Sequence, residues 1–171
     1  MVAPSRPFWL VLATLLGMGC VEPAESPVRL NEVLPKNSDG CPDEVNERND
    51  WVELYNTSNA AVDLAGYSLT DDTASPRKSV IAEGITIEGK STLLFWADGT
   101  PDQGKTHLTF KFKAWAEEVV LYDSDARQID LYRWEMGYSD VSFARVPDGT
   151  GEWVRCANPT CDAANTSPCG S

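Results

Sequence analysis

The sequence predicts an all-β fold, a sandwich or barrel of short strands, and three observations carry that prediction. Apolar and polar residues alternate with a period of two in many short runs. Turn-forming residues punctuate the chain between those runs. Apolar spacing at three and four residues never persists for the ~10 positions that a sizeable helix requires. At 171 residues the chain has room for one domain with a core of ordinary size.

The runs come in order at 28–34, 51–55, 67–70, 92–96, 108–113, 119–122, 129–134 and 141–145, each rich in β-branched or aromatic residues. The clearest is Leu108-Thr109-Phe110-Lys111-Phe112-Lys113, where a strand puts three apolar side chains on one face and the polar ones on the other. Ser38-Asp39-Gly40, Ala65-Gly66, Glu88-Gly89-Lys90, Asp98-Gly99, Asp123-Ser124-Asp125 and Pro147-Asp148-Gly149 supply the glycines and Asx side chains that reversals need. Leu93-Leu94-Phe95-Trp96 and Val119-Val120-Leu121-Tyr122 are apolar on both faces and are expected as central strands with partly covered outer sides. The expected core is Leu30, Val52, Leu54, Leu64, Leu69, Phe95, Phe110, Phe112, Val120 and Phe143. Lys111 and Lys113, facing away, would discourage edge-to-edge association if their strand lies at a sheet margin.

The first nineteen residues have a different character. Arg6 gives a positive start, residues 8–16 are apolar, and Gly17-Met18-Gly19 leads into Cys20, which is the layout of a secretory signal. About nine apolar residues fall short of the roughly 20 that span a bilayer as a helix, so cleavage is expected rather than retention. A cysteine directly after small residues resembles the lipobox of bacterial lipoproteins, in which Cys20 takes the lipid and becomes the new N-terminus. The match departs from the usual pattern in one place: Gly17 stands where leucine is common, with Leu16 one position earlier. Ordinary cleavage and secretion is the alternative. The expected organisation is a signal at 1–19, an anchor and tether at 20–27, a sandwich at 28–155 and a disulfide-held tail at 156–171.

With Cys20 set aside, Cys41, Cys156, Cys161 and Cys169 form an even set in an oxidising compartment, which suggests two disulfides. Sequence does not choose among the three connectivities; Cys41 with Cys156 and Cys161 with Cys169 is the favoured one. Zinc on this set is disfavoured, because there is no paired C-x-x-C and His107 is the only histidine. The net charge of −12 becomes −13 once Arg6 is removed, so nucleic acid and anionic membrane surfaces are poor partners.

Four ordered motifs resemble the lamin-tail family as it occurs in bacteria. Leu30-Asn31-Glu32-Val33 is similar to its opening I-N-E-V, and Trp51-Val52-Glu53-Leu54-Tyr55-Asn56 to its W-V-E-L-Y-N. Val62-Asp63-Leu64-Ala65-Gly66-Tyr67-Ser68-Leu69-Thr70-Asp71 follows, and then Ser142-Phe143-Ala144-Arg145-Val146-Pro147-Asp148-Gly149-Thr150-Gly151-Glu152-Trp153. The family's closing T-P-G-A-x-N is replaced by Thr160-Cys161-Asp162-Ala163-Ala164-Asn165, which suggests a tail held by disulfide instead of by the usual turn. The resemblance extends from Val28 to Asn165. It implies an immunoglobulin-like β-sandwich serving as an interaction or tethering module, and it implies no reaction.

Candidate chemistry is sparse. There is no H-E-x-x-H, no G-x-S-x-G and no P-loop, and a lone His107 ahead of a strand is expected on the surface. Asp71-Asp72 and Glu117-Glu118 are adjacent carboxylates, but strand neighbours point to opposite faces and seldom converge. Glu32 and Glu53 sit inside apolar strands; they are either a ligand-contacting pair or hydrogen-bond acceptors that fix the sandwich, and the second is favoured. Calcium is conceivable at Asn37, Asp39, Asp43 and Glu44, or at Asp123 and Asp125, though no EF-hand spacing is present. Trp115 and Trp134 would form a stacking platform if exposed, and are expected in the core. Asn56-Thr57-Ser58 and Asn165-Thr166-Ser167 match glycosylation sequons that a bacterial lipoprotein leaves bare. The reading is a noncatalytic binding module on the cell envelope, anchored by lipid, whose partner is an envelope protein or an extracellular polymer, with no cofactor and no small-molecule substrate. The alternatives are an accessory protein binding polysaccharide or DNA for an extracellular enzyme, and a purely structural envelope protein.

Overall fold

The computed structural model describes residues 25–165. The expected signal, Cys20 and Cys169 lie outside the described residues, as do positions 21–24 of the expected tether. Eleven strands run in chain order: β1 Val28–Leu34, β2 Trp51–Asn56, β3 Val62–Asp63, β4 Ser68–Thr70, β5 Ser79–Val80, β6 Thr86–Ile87, β7 Thr92–Trp96, β8 Trp115–Tyr122, β9 Gln128–Met136, β10 Ser142–Val146 and β11 Glu152–Cys156. There is no helix among the described residues.

The strands form a five-stranded sheet ordered β11-β10-β1-β2-β7, a four-stranded sheet ordered β5-β4-β8-β9, and a small β3-β6 pair. Every ladder between strands is antiparallel. The two larger sheets enclose one apolar core, and all ten residues expected there are buried. Simple alternation does not describe β1, however. Leu30 pairs with Leu54 and Glu32 with Glu53, so Asn31 is an extra residue, a bulge. Leu30 and Val33 both face the core, while Leu34 turns to the outer face of the sheet. There it joins Trp51, Leu94 and Trp96 in a second apolar cluster, against which Cys41 and Cys161 pack.

Several expectations need correction. Residues 108–113 are not a strand, although Leu108, Phe110 and Phe112 are buried and Thr109, Lys111 and Lys113 exposed as the alternation demands. The segment crosses from one sheet to the other: the Leu108 amide donates to the Trp96 carbonyl of β7, and Thr109 bonds Lys78 and Ser79 beside or within β5. A chain spanning two sheets has no single neighbour with which to build a ladder. β7 lies at a sheet edge, not in the centre, and is apolar on both sides because the second cluster covers its outer face. The short β3, β5 and β6 leave too little pattern to detect. Ser26 and Pro27, assigned to the tether, are docked: Ser26 is buried, and the Pro27 carbonyl accepts from the Thr57 amide and hydroxyl.

The favoured disulfide connectivity is also wrong. Cys41 pairs with Cys161, joining residues 120 apart in sequence. Cys156 is disulfide-bonded as well. In the ladder Cys156 pairs with Ser142 at the end of β11, and the tail beyond it folds back over β1, setting Thr160 on Glu32 and Cys161 against the loop that carries Cys41.

Candidate functional site

The motif residues converge on the outer face of the five-stranded sheet, where the bulge at Asn31 turns its side chain toward Glu53. Asn31 Nδ2 donates to Glu53 Oε1 and Asp148 Oδ1, both at 2.9 Å, and its Oδ1 accepts from the Gly149 amide at 2.8 Å. Gly149 is required there: its φ is +64° and a Cβ would stand 2.6 Å from the Tyr55 ring. Asp148 Oδ1 also accepts from the Asn165 amide at 3.0 Å. Glu32 accepts from the Ser142 hydroxyl and from the amide and hydroxyl of Thr160. Asn165 Nδ2 closes the network on the carbonyls of Arg145 and Asn31.

Glu32 and Glu53 are both fully buried, and they face one another across β1 and β2. Burial pushes the Glu53 carboxyl up to about 8 against the opposing bond from Asn31, and the neighbouring Glu32 adds repulsion. Burial raises Glu32 too, opposed by its bonds from Ser142 and Thr160. Thr160 Oγ1 lies within hydrogen-bond distance of both Glu32 and Asn165 Oδ1, and its single hydrogen serves only one of them. Carboxylates buried in this way hold strands and tail together.

The other motif residues act similarly. Arg145 donates to the carbonyls of Leu30 and Gly151, reaches Asp130 of β9 at 3.2 Å and lies over the Trp153 ring, so it ties the two sheets together. Asn56 donates to the carbonyls of Ala60 and Ile87 and accepts from Ser58, which leaves neither this asparagine nor Asn165 free to carry a glycan. Leu54 lies in the main core and Trp51 in the outer cluster. Pro147 follows a cis peptide in the turn leading to β11.

A second cluster was not foreseen. His107, expected at the surface, is 4% exposed. Its Nδ1 lies 2.5 Å from Asp98 Oδ2 and its Nε2 2.7 Å from Glu44 Oε1, with the Asp43 carboxylate nearby. Burial alone would lower its pKa, but the hydrogen bonds to Asp98 and Glu44 outweigh that and raise it. No sequence signal links residues so far apart as 44 and 107. The acidic loops weighed above for calcium have internal partners. Asn37 uses its amide on the carbonyls of Cys41 and Asn49, the Ser38 and Asp39 amides are capped by Asp140, and Asp123 accepts from Asp125 and Arg127.

Asp71, Asp72, Glu117 and Glu118 do border one cleft, contrary to expectation, beside Ala116, which has a positive φ. Lys78 pairs with Asp71 at 2.5 Å, Lys113 with Glu117 at 3.3 Å and Arg133 with Glu118 at 2.7 Å. The two platform candidates separate. Trp134 is buried and donates to the Lys113 carbonyl, whereas Trp115 is 64% exposed. Trp115 borders a shallow cleft with Met136, with Tyr138, which is 42% exposed, and with Arg155, whose guanidinium lies over the Tyr138 ring.

Among the described residues no helix is long and apolar enough to cross a membrane. A search of curated proteins gives no match to the sequence. The family model for the Lamin Tail Domain, a group of noncatalytic immunoglobulin-like domains, matches residues 22–136 and so takes in the strands that carry Asn31, Glu32 and Glu53 as well as the Trp115 edge. With two thirds of its length matched and the expected antiparallel sandwich formed, this chain belongs to the lamin tail domain family.

Proposed function

We propose that this protein is an exported, lipid-anchored interaction module of the bacterial cell envelope, attached through Cys20 and free of catalytic activity. The observation that carries the reading is the division of its polar chemistry. The motif carboxylates and amides are buried and turned to internal hydrogen bonds, Glu53 through one of its two oxygens, while Trp115, Tyr138 and Arg155 remain at the surface. Tryptophan, tyrosine and arginine are the side chains that most often dominate protein–protein contacts. An envelope protein is therefore the favoured partner. The several acyl chains of a lipoprotein make such an attachment durable, where one chain alone binds only marginally.

The test has two arms. Cys20→Ser should move the protein from the membrane fraction to the soluble fraction, and unchanged membrane retention counts against the anchor. Crosslinking on intact cells should yield a defined protein adduct that Trp115→Ala abolishes. A neutral polysaccharide is the second reading, because an exposed indole beside a tyrosine also suits stacking on sugar rings. Retention on polysaccharide resins with no protein adduct favours it. DNA is disfavoured by the net charge of −12, and Lys111 or Lys113 would have to carry any such binding.

A further inference from the structure

We propose that Asp43, Asp98 and His107 form a binding site for one divalent transition-metal ion of the zinc class. The three side chains come from two loops, Asp43 from the loop after β1 and Asp98 and His107 from the loop after β7; all are buried, and their potential ligand atoms lie within 4.8 Å of one another. Two ligands of a tetrahedral zinc ion, each at ~2.0–2.2 Å, stand about 3.3–3.6 Å apart, so side-chain rotation by roughly an ångström sets the geometry: the wider pairs draw together, and His107 and Asp98, now 2.5 Å apart, open to admit the ion.

Charge points to the same ligand. Asp43, Glu44 and Asp98 bring three carboxylates around one imidazole, and among the described residues no lysine or arginine pairs with any of them. Even a fully protonated His107 leaves an excess of negative charge in a buried place, and buried charges are paired or bind metal. A divalent ion supplies what is missing. The donor set of one imidazole nitrogen and two carboxylate oxygens suits borderline metals better than calcium, which takes oxygen ligands alone.

The second shell is already present. Glu44 Oε1 sits 2.7 Å from His107 Nε2, so a proton kept on that nitrogen leaves Nδ1, which faces Asp98, to serve as the ligand. The Nδ1 proton now shared with Asp98 leaves to solvent when the ion binds. Asp43 is held in place by the amides of Val45 and Glu47 and by the Asn49 side chain, and Asp98 by the Thr100 amide. A surface cleft bordered by Gly104, Pro101, Lys105 and Thr109 reaches His107 and gives the ion an entry path. Bound there, the ion would tie the loop after β1 to the loop after β7.

The experiment uses the purified protein stripped with chelator and titrated with zinc chloride alone, following uptake by calorimetry and the thermal midpoint in parallel. The expected result is one equivalent bound with a rise in midpoint. Both should be lost in His107→Gln and Asp98→Asn, and affinity should fall about 10–100-fold in Glu44→Gln. Because His107→Gln can itself weaken the fold, Glu44→Gln, whose side chain is half exposed, provides a second variant with an independent reading. No uptake, uptake undiminished in His107→Gln, or tighter binding of calcium than of zinc each overturns the proposal.

Discussion

The two faces of the five-stranded sheet are held by different physics. The inner face packs Leu30, Val52, Leu54 and Phe95 against the second sheet, and its stability is area removed from water, indifferent to pH and redox state. The outer face sets Leu34, Trp51 and Trp96 beside Glu32, Glu53 and Asn31, and is closed by a returning tail through one disulfide and a polar network. One sheet thus carries an ordinary core on one side and a conditional one on the other.

The largest expected effect comes from the inner face. Phe95→Ala should cost about 3–5 kcal/mol by removing a fully buried ring, and the loss should be the same at about pH 5 and about pH 9. Denaturant unfolding at the two pH values checks this, and a pH-dependent loss would break the distinction between the faces. Next is the covalent closure. Replacing Cys41 and Cys161 together by serine should cost about 3–5 kcal/mol, since the bridge closes a loop of 120 residues. The tryptophan emission should shift to the red as Trp51 and Trp96 lose their cover, and an unshifted spectrum would show that the tail stays docked without its bond.

The smallest effect has the sharpest sign. Glu53 has a folded pKa of about 8 against 4.5 for the free group, so the folded state holds the proton more tightly than the unfolded one. The stability this contributes is whole below about 4.5 and is lost as pH rises through about 8. Glu53→Gln keeps the acceptor for Asn31 without the charge, and should stabilise the protein by roughly 2 kcal/mol above that range. Urea midpoints across pH for both proteins test it. A slope that persists in the variant would shift the assignment to Glu32, which is also raised by burial.

The inner face is legible in the sequence because short apolar runs report on buried strands: alternating runs mark β1, β2, β4, β9 and β10, two-sided runs mark β7 and β8, and nine of the ten expected core residues lie in the main cluster, Val120 being buried outside it. The outer face is not. Asn31 gives no sign that it is an inserted residue, yet the bulge decides that Glu32 faces Glu53 and the tail. The glutamates read as structural from their place in apolar strands, but the partners of Glu32, Ser142 and Thr160, lie more than a hundred residues away. The same distance hides the pairing of Cys41 with Cys161 and the burial of His107 against Glu44. At 108–113 the alternation is right about which side chains are buried and wrong about the ladder, because period two reports facing and not neighbours.

The bridge between Cys41 and Cys161 also sets the path of mechanical tension. A pull applied at the two ends of the described chain enters through β1, crosses the sulfur bridge and leaves at residue 161, so the ten strands from β2 to β11 lie within a slack covalent ring. β1 alone is stretched, and it sits between β2 and β10 with antiparallel ladders on both sides, so it yields only by shearing both sets of hydrogen bonds. A protease cut anywhere in the ring would leave the two fragments joined.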